Sequence, residues 1–64
     1  MKTLSFNNKR FQWTVKTIDR IDVSDNGALV WAGKELFNVC GKLVHRMTKN
    51  GDWAWIGSDP ELWA

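Results

Sequence analysis

Residues 42 to 58 read KLVHRMTKNGDWAWIGS. Two runs suited to strands flank Asn50-Gly51, the pair that best tolerates the positive φ angles of a two-residue type I′ turn, so the stretch reads as a tight hairpin. With Asn50 and Gly51 at the tip, Thr48 faces Trp53, Met47 faces Ala54, Arg46 faces Trp55 and His45 faces Ile56. One side of the hairpin then carries Leu43, His45, Met47, Ala54 and Ile56, and is the expected core side. The other carries Val44, Arg46, Thr48, Trp53 and Trp55. Two tryptophans with an arginine between them form either a second buried layer or a binding surface.

Upstream of the hairpin, Leu4 and Phe6 point one way in a short edge strand that ends at Asn7-Asn8-Lys9-Arg10. From Phe11 the alternation of Phe11, Trp13 and Val15 with Gln12, Thr14 and Lys16 marks one long strand, bent or bulged near residues 18 to 20. Ser24-Asp25-Asn26-Gly27 is a turn, and Ala28 to Ala32 is a further strand. Between Lys34 and Cys40 the period changes, because Leu36, Phe37 and Cys40 fall on one helical stripe. A short helix ending at Gly41 is expected there, and a single helix from Gly33 to Lys49 is the competing reading. After the hairpin, Ser58-Asp59-Pro60-Glu61 resembles a helix start, with one turn of helix at most behind it and Trp63 folded back on the body.

These elements predict a single α+β domain over residues 1–64, an antiparallel sheet of four or five strands with one short α-helix packed on it. Phe11, Trp13, Val15, Leu36, Phe37, Cys40, Met47 and Ile56 are the expected core. A chain of 64 residues hides only about 60% of the surface its unfolded form exposes, which leaves little room for a deep catalytic cleft. Five tryptophans, each able to bury roughly 150 to 250 Å², are expected to take the place of the disulfides or metal that other mini-domains need.

Nine Lys and Arg against seven Asp and Glu give a net charge of +2 and a pI near 9.0. That balance permits contact with nucleic acid and falls short of a polybasic tail. A lone Cys40 allows no internal disulfide, which suits a cytoplasmic protein, and no apolar run has the length of a signal peptide or a membrane span. Cys40 and His45 make one pair where a metal site needs several clustered ligands, and Cys40 reads as a small buried thiol rather than a nucleophile. No phosphate-binding glycine pattern occurs. No catalytic residue, metal or cofactor is expected.

The remaining chemistry lies in basic residues interleaved with aromatics. Trp53, Trp55 and Arg46 are the candidate anchors of a partner-binding surface, with Lys49, Lys42 and Lys34 tuning association through charge. The same cluster could stack single-stranded bases while its cations follow the phosphates. A third possibility is self-association, for instance as a homodimer, through an edge strand at residues 2 to 6 or 52 to 57.

Two partial resemblances bear on the choice. The run TLSFNNKRFQWTV, with Leu4, Ser5, Asn8, Lys9, Phe11, Thr14 and Val15, resembles the first strand region of the small podovirus proteins that inhibit bacterial RNA polymerase. The run TKNGDWAWIGSDPELW, with Thr48, Asn50, Gly51, Trp53 and Trp63, is similar to the closing hairpin of type I-F anti-CRISPR proteins. Both imply strands around one helix. Both imply a phage-encoded inhibitor that binds a bacterial protein or nucleoprotein complex in the host cytoplasm without chemistry of its own.

Overall fold

The computed structural model describes residues 2–63, and these form seven strands with no helix among them: β1 (Thr3–Asn8), β2 (Trp13–Thr17), β3 (Arg20–Ser24), β4 (Gly27–Ala32), β5 (Glu35–Cys40), β6 (Leu43–Met47) and β7 (Trp53–Trp63). All pair antiparallel in one sheet, in the order β2-β1-β7-β6-β5-β4-β3. The sheet begins at β2 and ends at β3, yet only Ile18 and Asp19 separate those strands in the chain. Two residues span about 7 Å, so the sheet has to curl until its first and last strands share a corner. The result is an incompletely closed barrel, nearly as deep as it is long, with extents of 28 × 25 × 24 Å. The bend falls where the break in alternation places it.

The α+β expectation is wrong, and the error sits in β5. Leu36, Phe37 and Cys40 fit a helical stripe, but Phe37 and Val39 alternate equally well as an inward pair, and both are buried. Glycine decides between the readings. Gly33 and Gly41 have φ of 63° and 58° and each opens a two-residue turn, with Ala32 opposite Glu35 and Cys40 opposite Leu43. A glycine with positive φ at the first central position is what a type II′ hairpin turn requires. The chain therefore doubles back at both ends of residues 35–40, which leaves them as a strand and excludes the longer helix as well.

The core is Leu4 and Phe6 from β1, Ile18 at the corner, Ala28, Val30 and Ala32 from β4, Phe37 and Val39 from β5 and Val44 from β6, with Ile21 and Ile56 packed against it. Phe6 and Phe37 lie on strands that are not neighbours, and their ring centroids meet at 6.2 Å across the barrel interior. Gly57 lets them approach: a Cβ there would sit 2.6 Å from the Phe6 ring and 2.5 Å from the Asn7 carbonyl oxygen.

Of the expected core, Phe37 and Ile56 hold. Leu36 and Met47 lie half-buried on the outer side, and Cys40 is exposed. Phe11, Trp13 and Val15 are 87%, 58% and 63% exposed, because β2 turns Thr14 and Lys16 inward. Residues 58–61 form no helix start and continue β7, where Asp59 adopts φ 53° as the pairing with β1 shifts between Ser5–Glu61 and Asn7–Ser58. Such a bulge admits Pro60 within an interior strand. Residues 2 to 6 and 52 to 57 are no edges either. They fall in β1 and β7, each paired on both sides, and the open edges are those of β2 and β3.

Candidate functional site

The hairpin exists, with the register of the half nearest its tip moved by one residue. Met47 lies opposite Trp53, Arg46 opposite Ala54 and His45 opposite Trp55. Gly51 has φ 85°, Asn50 has a negative φ, and the Gly51 N–H donates to the Thr48 carbonyl. Lys49 and Asn50 are thus the central pair of an ordinary turn, with Gly51 as the left-handed residue of a bulge behind it. The Asp52 N–H donates to the Thr48 side-chain Oγ1 at 3.2 Å, which fixes this longer tip.

A one-residue shift reverses the side of each shifted residue relative to its partner strand, and an irregularity between Val44 and His45 ends the shift, so that Val44 pairs with Gly57 and Leu43 with Ser58. Arg46 leaves the tryptophans and joins the inner side, opposite Phe37. There its guanidinium lies 3.2 Å from Glu35, whose other oxygen is 3.4 Å from Lys16 of β2. This bridge spans one mouth of the barrel. Partial burial acts to raise the pKa of the Glu35 carboxyl, and the hydrogen bonds and charges of Arg46 and Lys16 outweigh it, holding the group below its ordinary value.

The tryptophans stay outside. Trp53 and Trp55 lie on the outer side of β7, 40% and 44% exposed. Trp31 opposite Leu36 and Met47 opposite Trp53 carry an apolar row across four strands, β4 to β7, with Arg20 opposite Trp31 at its end. A second row runs Asp22, Leu29, Asn38, His45 and Trp55 through successive strand pairs. Charge is confined to the margins of this face. Arg20 packs over the Trp31 ring at 4.8 Å, and Lys9, from the β1–β2 turn, over Trp55 at 5.6 Å.

The expected cluster therefore divides. Trp53 and Trp55 share the outer face. Arg46, Lys34 and Lys49 line a groove with Glu35, Met47 and Thr48 around the β6–β7 turn. Lys42 sits in the β5–β6 turn, where its carbonyl accepts the Asp59 N–H, away from both. Sequence reasoning missed Trp31, Leu29, Leu36 and Met47 as parts of the face. The signal was present in β4, where Ala28, Val30 and Ala32 alternate with Leu29 and Trp31, and a strand apolar on both sides is covered on both sides or used on one.

Among the described residues no three His, Cys, Asp or Glu side chains are grouped to hold a metal ion. Nor do the described residues form any helix long and apolar enough to cross a membrane. No protein-family model, no curated protein and no solved structure matches the chain. The all-β barrel also departs from the one-helix fold that both partial resemblances imply.

Proposed function

We propose that the chain is a non-catalytic binding module that docks a protein partner on the outer face of β4–β7 and blocks a surface of it, as a phage or mobile-element inhibitor would in a bacterial cytoplasm. The observation that carries the reading is the exposure of Trp53 and Trp55 side by side on an apolar face. Large rigid aromatics held on a sheet lose little entropy on binding and are the residues most enriched at interface hot spots. The arrangement of charge favours protein over nucleic acid. Arg46 and Lys16 are engaged by Glu35 on the inner side, so few cations run along the face to follow phosphates.

Capture from a bacterial lysate by the tagged protein, with and without nuclease, tests this. The expected result is a discrete protein that survives nuclease and is lost with Trp53→Ala and Trp55→Ala together, while the unfolding midpoint stays put. Equal capture by the double variant contradicts the assignment of the face.

One observation favours a second reading. The groove of Lys34, Arg46 and Lys49 adjoins Trp53 through Met47, a cationic channel beside a stacking platform, which suits a single strand of nucleic acid. That reading predicts affinity for a single-stranded oligonucleotide that falls steeply with added salt. A flat salt response excludes it.

A further inference from the structure

We infer that the open edge of β2 receives an extended peptide strand from a protein partner, one in which acidic residues flank alternating apolar ones. This site lies beyond β1 from the Trp53 and Trp55 face, shares only Lys9 with its margin, and does not depend on that reading.

The edge is defined by main-chain direction. The Asn8 N–H donates to the Gln12 carbonyl and the Ile18 N–H to the Lys2 carbonyl, so the even-numbered residues of β2 turn their main-chain groups toward β1. The alternation of an antiparallel ladder then aims the N–H and C=O groups of Trp13, Val15 and Thr17 away from β1, where no strand pairs. The side chains of the same residues are exposed. Unpaired ladder groups beside accessible side chains are the two requirements of strand addition, the first for affinity and the second for selectivity.

Natural sheets blunt such an edge with charges, proline or a bulge. On this one, Trp13 and Val15 offer apolar surface, and Phe11 lies just before them, 87% exposed. Phe11 also holds φ 59°, a conformation costly for a bulky side chain and cheap for glycine. The loop around it is firmly built, since the Asn8 side chain accepts the Arg10 and Gln12 N–H groups and the Asn8 carbonyl accepts that of Phe11. A strained residue that exposes its ring gains the fold nothing, which points to a use outside the fold.

Charge selects the occupant. Lys9 and Arg10 stand exposed at one end of β2 and Lys2 at the other, beside Ile18. The Asp19 carboxylate nearby accepts the Gly33 N–H at 2.7 Å, and Lys16 is turned inward to Glu35. A second copy pairing antiparallel would bring its Lys2 end against Lys9 and Arg10, like charge on like. An acidic strand meets cations at both ends.

The test uses a library of random dodecapeptides selected on the immobilised protein, with the best binder titrated against labelled protein and followed by its amide signals. The expected binder alternates apolar and acidic residues, shifts the Phe11 to Thr17 signals and protects the Trp13, Val15 and Thr17 amides from exchange. Val15→Pro removes a free N–H that the fold does not use, and is expected to weaken binding about tenfold or more. Phe11→Gly should weaken it with an unfolding midpoint unchanged or raised. Trp53→Ala with Trp55→Ala should leave it intact, which separates this site from the proposed face. The inference is overturned if no peptide is selected, if binders shift Trp53 and Trp55 and ignore Val15→Pro, or if the edge is filled by a second copy, seen as a dimer in sedimentation that Val15→Pro dissolves.

Discussion

The two sides of this sheet are built from different residues. The inner side holds Leu4, Phe6, Val30, Phe37, Val39 and Val44 with small alanines between them, and no tryptophan. Trp13, Trp31, Trp53, Trp55 and Trp63 all lie outside, and all but Trp31 are exposed by 40% or more. A narrow barrel has no room for an indole at its centre, where two phenylalanine rings already meet. The contrast teaches that the size of a residue and its share of the core are separate matters. The largest apolar side chains here do little for the core and are placed where another molecule can reach them.

If the inner side alone carries stability, substitutions there should be severe. Phe37→Ala empties the interior at the Phe6 contact and should cost about 3 to 5 kcal/mol. A domain of this length has only about 3 to 10 kcal/mol in all, so thermal unfolding should find the variant largely unfolded at 37 °C. Gly57→Ala should follow at about 1 to 3 kcal/mol, because the added methyl collides with the Phe6 ring and the Asn7 carbonyl, an overpacking error. Denaturant titration of both variants checks the order.

Outer substitutions should move stability little, or upward. Phe11→Gly relieves a left-handed backbone and should stabilise by about 1 kcal/mol, read from the same titration. A loss instead would mean that the ring supports the fold and would break the contrast at β2. The smallest effect belongs to Glu35, at the mouth. Its pKa is lowered in the folded state, so its contribution is present above the unfolded value of about 4.3 and is lost as pH falls through the lower folded value. Since the bridge is partly solvated, Glu35→Gln should cost no more than about 1 kcal/mol at neutral pH. The variant and the parent should converge in acid, once the parent's Glu35 carboxyl is protonated and its bridge to Arg46 and Lys16 is lost.

The parts of the fold legible in the chain were those set by local geometry. Alternation put Leu4 and Phe6 on one side of a strand, and its interruption near residues 18 to 20 marked a bend where the chain turns the corner at Ile18 and Asp19. The rest was ambiguous for physical reasons. In β5, Leu36, Phe37 and Val39 put apolar residues on both sides, so helix and strand periods fit equally, and only the turn glycines at 33 and 41 broke the tie. In the hairpin, Gly51 satisfies a type I′ turn and a bulged turn alike, and the one-residue difference moved Arg46 to the opposite side from Trp53 and Trp55. For β2 the alternation was right and its direction wrong: Thr14 and Lys16 face in, where Lys16 finds Glu35 from a strand far off in sequence. Of the candidate site, the two tryptophans were legible as a pair. Their neighbours Trp31 and Leu36 were not, because they join the face only through β4 and β5.

The placement of the indoles can be tested most directly by acrylamide quenching of tryptophan fluorescence, folded and in denaturant. With Trp13, Trp53, Trp55 and Trp63 all exposed in part, acrylamide should reach most of the emission in the folded protein, and the folded slope should remain a large fraction of the denatured one. A folded protein whose tryptophans are strongly shielded would put them in the core, and the division of labour between the two sides of the sheet would be wrong.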